Sequence, residues 1–434
     1  MIPVTHSAPP PNIVFVLIDD MGYADLSCYG NTLAKTENID KLAREGVRFT
    51  QFYVSAPICS PSRTGLLTGQ YPQRWRINSF LETRASNTKR GMAQWLDVKA
   101  PSVARELQKA GYTTGHFGKW HLGGQRDVGD APLITEYGFD ASLTQFEGLG
   151  DRILPLLDAY DGKPPRKHAL GSDNLGRGNI TWLERSKVTG AFASRAQAFM
   201  TEARAKNKPF FVNLWLDDVH SPFFPPKSLR GDGGKKTLYN AVVQDMDRQL
   251  GPLLEYIRTV PNTLVIVASD NGPEPGAGSA GPFRGQKGNL YEGGIREPLI
   301  VWGPGLVKPG VVNEKTVVTS VDLFPSLLAL AGKPQAHDGE NLSDALLGKK
   351  QPLRRRPIFW KRPPDRPGPS ASERFPDLAV REGDWKLLCM TDGTAPQLYD
   401  LKSDPSETIN RASEQPERVR QLTEKLLAWN KSLP

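Results

Sequence analysis

Apolar residues gather in short unbroken runs along this chain, and polar residues close each run. "NIVFVLIDD" (12–20) is one such run, ending in two aspartates. An uninterrupted apolar stretch of this length reads as a strand buried on both faces, as in a parallel sheet. "IDKLAREGVRF" follows with helical spacing and a glycine stop, and "FTQFYVS" reads as a second strand. "PSVARELQKAGYTTGHFGKWH" repeats the order of helix, glycine C-cap, short strand and polar exit. "AFASRAQAFMTEARAKNKPFFVNLWLDDVH" and "LYNAVVQDMDRQLGPLLEYIRTVPNTLVIVASDNG" do the same. The alternation predicts an α/β fold over 11–349, a doubly wound, mostly parallel central sheet flanked by helices.

The texture changes near residue 350. "KKQPLRRRPIFWKRPPDRPGPSASERFPD" is rich in proline and arginine, and "LAVREGDWKLLCM" and "QLYDL" then suggest antiparallel strands. "PERVRQLTEKLLAWN" has the spacing of an amphipathic helix. A smaller C-terminal α+β subdomain, an antiparallel sheet plus terminal helix, is expected over 350–434. Residues 1–10 read as a flexible N-terminal segment.

The polar exits matter most for chemistry. Asp19-Asp20, Lys119-Trp120-His121, Asp217-Asp218-Val219-His220 and Asp270-Asn271 each follow an apolar strand candidate. The carboxyl ends of strands line the ligand crevice of an open parallel sheet, so these exits should converge. Asp19, Asp20, Asp270 and Asn271 offer hard oxygen ligands, suited to Ca²⁺ or Mg²⁺ and not to a soft metal. Taken alone, an acidic pair after a strand is a helix cap or turn; two pairs in the same placement argue for a metal. Lys119 and His121 would share one face, with Trp120 turned into the core. His220 leaves another strand, and Lys287 lies in the glycine-rich "GPFRGQKGNLYEGGIREP". Together they describe cationic donors facing a metal, a setting for a tetrahedral oxyanion.

Composition narrows the partner. The 434 residues carry a net charge of +8, which favours anions. Basic and aromatic residues do not alternate as a nucleic-acid stacking platform would require, so a smaller anion is expected. Apolar runs are strand-sized, too short to span a bilayer. The opening "MIPVTHSAPPP" has neither a basic n-region nor an apolar h-region. It suits a mature form with a new initiator methionine, and a periplasmic or secreted location is expected.

The three cysteines, Cys28, Cys59 and Cys389, are odd in number and far apart, which argues against a disulfide framework or zinc knuckle. Cys59 differs from the other two in its setting, "CSPSRTGLLTG". The stretch reads as a helix start with serine near the cap and proline in the first turn. Arg63 would lie one turn along from Cys59 on the same face, and a thiolate there could be activated.

This stretch resembles the signature C-x-P-x-R of the type I sulfatases, members of the alkaline phosphatase superfamily. The resemblance implies that Cys59 is oxidised after translation to formylglycine by a maturase. One hydroxyl of the hydrated aldehyde would attack sulfur, and the other would later expel sulfate. "NIVFVLIDDMGYADLSCYG", "GYTTGHFGKWHLG", "VIVASDNGP", "FRGQKGNLYEGGIREP" and "LYDLKSDPSE" are also family-like. They imply Asp19, Asp20, Asp270, Asn271 and residue 59 as ligands of calcium, in preference to magnesium. Arg63 would orient the diol, Lys119 would bind sulfate, and His121 would hold sulfate or formylglycine. His220 or Lys287 would protonate the leaving oxygen. "LDDVHSP" departs from the family pattern by its two aspartates before His220.

The implied activity is sulfate-ester hydrolysis on sulfated glycans, exo-acting, of galactose or N-acetylgalactosamine type. Arg84, His168, Arg177 and Arg284 are candidate sugar contacts, with Arg166, Lys167 and Trp182 in irregular segments between strands. Competing readings are a phosphonate monoester or phosphodiester hydrolase, a sulfated-glycan binder with unconverted Cys59, and a cysteine-nucleophile hydrolase.

Overall fold

Strand β1 (Asn12–Ile18) sits at the centre of the molecule and shows how the sequence builds it. Ile13, Phe15 and Leu17 enter one hydrophobic core, while Val14, Val16 and Ile18 enter another on the opposite face. Period-two alternation therefore feeds two cores from one unbroken apolar run. Burying each of these side chains contributes about 1.5–3 kcal/mol. The computed structural model describes residues 9–366 and 374–434. Residues 1–8 of the expected N-terminal segment lie outside the described residues.

Eleven further strands join β1 in one sheet. They are β2 (Val47–Tyr53), β3 (Thr113–Gly118), β4 (Ala141–Thr144), β5 (Arg152–Leu157), β6 (Arg166–Lys167) and β7 (Ile180–Glu184). Then follow β8 (Phe210–Leu216), β9 (Thr263–Ser269), β10 (Arg296–Trp302), β11 (Val311–Asn313) and β12 (Val318–Thr319). The order is β11-β2-β10-β9-β1-β8-β3-β4-β5-β6, with β12 beside β2 and β7 beside β5. From β9 to β5 every pairing is parallel, whereas β10 runs against both β9 and β2. Helices 103–109 and 320–330 pack on one face; helices 37–45, 188–205 and 235–258 pack on the other. The sheet is mostly parallel and doubly wound, as the alternation predicts. None of the helices among the described residues is long and apolar enough to cross a membrane.

The C-terminal part forms a separate four-stranded antiparallel sheet from Ile358–Lys361, Leu378–Glu382, Trp385–Cys389 and Gln397–Asp400. Leu422, Leu426 and Trp429 of the terminal helix cover one face of it, against Leu378, Val380 and Leu387. Its other face is buried in the large core through Trp360, whose indole N–H donates to the Val54 carbonyl at 2.7 Å. Buried charge also joins the two sheets. Lys386 Nζ lies 2.9 Å from Glu292 Oε1 and 2.9 Å from Glu407 Oε1, with all three side chains wholly buried. Tyr53 OH donates to Glu292 Oε2 at 2.5 Å.

Candidate active site

Strands β9, β1, β8 and β3 are consecutive neighbours in the sheet, so their four polar exits meet at one edge. Consecutive residues of a strand point to opposite faces. Asp20 escapes this by adopting φ +59°, a left-handed turn that lets its carboxylate join that of Asp19. Oxygens of Asp19, Asp20 and Asp270 all lie within 4.8 Å of one another, and the three residues are wholly buried. Asn271 completes the group. Its Nδ2 donates to Asp20 Oδ1 at 2.7 Å, and its Oδ1 is buried with no donor facing it.

Burial raises every carboxyl here, but neighbouring charge divides them. At Asp19, Lys119 and Arg63 overcome burial and hold the group well below the usual carboxylate range. At Asp270, burial is joined by the charge of Asp19 and outweighs Arg63, so the group is pushed well up. Three crowded buried carboxylates and an orphaned amide oxygen fit a hard divalent cation.

Helix 59–68 begins at Cys59 and is buried throughout. Arg63, one turn on, donates from Nε to Asp270 Oδ2 at 2.9 Å and from Nη2 to Asp19 Oδ1 at 3.1 Å. Its Nη1 donates to the Lys119 carbonyl at 2.9 Å. Two sequence expectations change here. Ile58, not a serine, caps the helix, and Ser60 Oγ instead accepts the Leu81 N–H at 2.9 Å. Burial also pushes the Cys59 thiol up, reinforced by Asp19 and opposed by Lys119, which works against the activated thiolate expected at the helix start.

Lys119 and His121 leave β3 together, as expected, with Trp120 wholly buried between them, 5.1 Å from the Tyr137 ring centroid. Gly118 makes the exit possible: at φ +113°, a Cβ there would stand 1.9 Å from the Trp215 carbonyl oxygen. Lys119 Nζ sits 2.6 Å from Asp19 Oδ2 and 3.1 Å from Glu147 Oε2, which also lies 3.0 Å from His121 Nδ1. Both Glu147 contacts lie off the hydrogen-bonding direction, and the one to Lys119 is ionic. His121 Nε2 is 2.9 Å from the Leu81 carbonyl. Burial pushes His121 down to about 4, against the pull of Glu147.

His220 places Nε2 3.5 Å from Asp20 Oδ2 and donates from Nδ1 to the Ser221 carbonyl at 2.7 Å. Burial lowers its pKa, and Asp20 opposes that. Lys287 Nζ reaches Asp20 Oδ2 at 2.5 Å. The two aspartates that set "LDDVHSP" apart point elsewhere. Asp217 pairs with Arg185 at 2.7 Å, and Asp218 accepts from the Thr189 hydroxyl.

A cavity of about 300 Å³ opens over this cluster, and Cys59, His121, Glu147, His220 and Lys287 all line it. Sequence reading missed Glu147, Phe80, Arg126 and Phe146 in its wall. The only signal for Glu147 is the isolated bridge Gln125↔Glu147, which no local pattern announces.

Of the candidate sugar contacts, His168 lines the cavity, its ring edge-on to Phe146 at 5.1 Å. Arg84, Arg177 and Arg284 are placed outside the lining. Arg84 opens helix 84–89 and pairs with Asp130, while Arg177 donates to the Ala131 carbonyl at 2.8 Å. Arg284 lies 3.9 Å over the Tyr291 ring and donates to Tyr399 OH at 3.1 Å, stitching the two sheets. Arg166 and Lys167 form β6 and Trp182 lies on β7, so these segments are regular, contrary to the sequence reading.

Comparison with known proteins identifies the family. The Sulfatase family model matches residues 11–333, and the model of the N-sulphoglucosamine sulphohydrolase C-terminal region matches 283–432. Arylsulfatase A of Homo sapiens is 34% identical over 446 residues, covering 93% of this chain and 83% of its own. N-acetylgalactosamine-6-O-sulfatase of Bacteroides thetaiotaomicron is 30% identical, covering 96% and 92%. The crystal structure of Ps i-CgsB in complex with k-i-k-neocarrahexaose superposes with TM-score 0.77 at 25% identity, covering 98% and 94%. With a family model spanning residues 11–333 and relatives at 30–34% identity along most of both chains, this chain is a member of the sulfatase family and a sulfuric ester hydrolase.

Proposed function

We propose that this enzyme removes sulfate from terminal galactose- or N-acetylgalactosamine-type residues of sulfated glycans, with Cys59 converted to formylglycine by a maturase. Residues 11–349 form the catalytic part, 350–434 its C-terminal subdomain, and the protein works in the periplasm or outside the cell. The observation that carries the reading is the juxtaposition of Cys59, Lys119, His121 and Lys287 with the Asp19–Asp20–Asp270 cage beneath one cavity. A relative whose name specifies N-acetylgalactosamine-6-O-sulfate chemistry supports the sugar class. A cavity of about 300 Å³ suits a single sulfated ring, which supports action at a chain end.

Asp19, Asp20, Asp270, Asn271 and residue 59 would hold calcium, which supplies a fixed positive charge for sulfuryl oxygens. Formylglycine at 59 supplies, once hydrated, one hydroxyl to attack sulfur and a second to release it. Arg63, clamped by two carboxylates and a carbonyl, keeps its guanidinium beside that residue. Lys119 and Lys287 bring ammonium charge to the sulfate. His220, with Nδ1–H committed to Ser221, turns Nε2 toward the cage; the leaving oxygen would take its proton from the Lys287 ammonium, or from Nε2 when both ring nitrogens are protonated. His121, braced by Glu147, lines the opposite wall and assists release of sulfate.

The test is expression with and without a maturase, mass spectrometry of the peptide spanning Cys59, and parallel assays on defined sulfated sugars and phosphate diesters. Conversion should lighten that peptide by about 18 Da and switch on sulfate release from galactose or N-acetylgalactosamine sulfates. An unconverted peptide in active protein, or a phosphodiester preferred by orders of magnitude, sinks the reading.

A further inference from the structure

Most cations at this site are already committed. Arg63 is held by Asp19 and Asp270, Lys119 by Asp19 and Glu147, and Lys287 by Asp20. Arg366 lies with its guanidinium 4.9 Å from the Phe80 ring centre. The Nε of Arg366 is also buried without a partner, but its guanidinium lies over that ring, whereas Arg126 stacks on no ring among the described residues. It lines the cavity, yet its side chain makes no ion pair or hydrogen bond among the described residues, and its Nε is buried without a partner.

The backbone holds Arg126 in place for this. Residue 126 takes φ +56°, directly after the bridge between Gln125 and Glu147. Gln125 Nε2 anchors the approach by donating to the Glu82 carbonyl at 3.1 Å. From the other side, the Arg126 carbonyl oxygen stands 3.1 Å from where a Cβ on Gly171 would fall, so the strand of chain bearing His168 packs directly on it. A left-handed non-glycine residue clamped at both ends, displaying an unsatisfied guanidinium into a binding cavity, is backbone strain kept where a ligand can repay it.

We infer that Arg126 is a specificity-determining residue for a second anionic group on the glycan, a carboxylate or a further sulfate, beyond the sulfate that is cleaved. The inference rests on the glycan-sulfatase reading above. The planar guanidinium offers a fork of donors that matches either oxyanion. His168 and Phe146 in the same wall leave an apolar ring face for the sugar beside it. The Glu147 carboxylate in the same wall feels the charge of Arg126, but no carboxylate among the described residues comes within ion-pair distance of it, so its guanidinium remains open to an incoming anion.

The experiment uses matured enzyme on four probes: 4-nitrophenyl sulfate, monosulfated N-acetylgalactosamine, the same sugar linked to a uronic acid, and the same sugar carrying a second sulfate. Wild type should prefer one of the two doubly anionic sugars, and which one identifies the source of the charge. Arg126→Gln should lose between about tenfold and a hundredfold more kcat/KM on that sugar than on the singly charged probes, through KM. Arg126→Lys should recover part of the loss. Because each variant is compared across probes in one preparation, a folding defect cancels. Equal losses on all probes, or a wild type indifferent to the second anion, overturn the inference alone. A wild type inert on every sulfated sugar but active on 4-nitrophenyl sulfate overturns the glycan reading, and this inference with it.

Discussion

His121 and Glu147 hold each other twice: the His121 N–H donates to the Glu147 carbonyl at 2.7 Å, and Nδ1 lies 3.0 Å from Oε2. Burial works to raise the Glu147 carboxyl, but His121 and Lys119 pull it down to about 2. Its charge therefore balances the buried Lys119 ammonium, while His121, pushed down to about 4, is neutral above that pH. Glu147→Gln should destabilise the protein by about 3 kcal/mol or more, the cost of leaving a buried partner unpaired. Urea unfolding checks it, and a loss below about 1 kcal/mol would mean the contact behaves like a surface pair.

Chelation should expose the repulsion stored in the cage. Protein treated with a chelator is expected to gain thermal stability on adding calcium, by about 2.7 kcal/mol at a hundredfold excess over Kd. Asn271→Ala removes the amide oxygen of the cage, which has no donor of its own, and should shrink that gain. Melting curves with and without calcium decide the matter, and an unchanged gain in the variant removes Asn271 from the ligand set.

A different group sets the acid limit of stability. His116 is wholly buried among Trp120, Phe139 and Trp215, and burial, aided by Arg63, pushes it down to about 3. The unfolded chain protonates near the ordinary value of about 6.5. Between those values only the unfolded state binds the proton, so stability is intact above pH 6.5 and falls as pH drops toward 3. His116→Phe should flatten this limb, and chemical denaturation from pH 4 to 8 measures it. A slope unchanged by the substitution assigns the acid loss to other groups.

Lys386 should matter to the joint between the sheets more than to chemistry. Lys386→Met leaves Glu292 and Glu407 buried side by side without their shared ammonium, at a cost of about 3–5 kcal/mol. Glu407, already pushed up to about 7 by burial against the pull of Lys386, would take up a proton. Limited proteolysis should then cut ahead of the small sheet sooner than in wild type. An unchanged cleavage rate would show that Trp360 and its neighbours suffice for docking.

Much of this was legible in the chain because strand exits are local. Asp19, Lys119, His220 and Asp270 each end an apolar run, and the parallel sheet brings such ends to one edge without further instruction. The left-handed turn at Asp20, which unites two adjacent carboxylates, leaves no trace in composition. Glu147 and Arg126 arrive through an isolated bridge between segments with no periodicity, so residue pattern could not find them. Arg84, Arg177 and Arg284 lie outside the cavity lining for the opposite reason. Each is a candidate sugar contact in the sequence, and in the fold Arg84 pairs with a carboxylate while the other two donate to carbonyls. The serine cap failed because Ser60 is used by Leu81 across the fold.

The all-round burial of helix 59–68 has a consequence for timing. Cys59 is 3% exposed and Pro61 and Arg63 are enclosed with it, Arg63 locked by two acids. A second enzyme that must recognise these neighbours has nothing to grip once the sheet has closed around them. If Cys59 is converted as proposed, oxidation of the thiol would belong to the interval before the polypeptide collapses, and protein that folds first would remain a thiol.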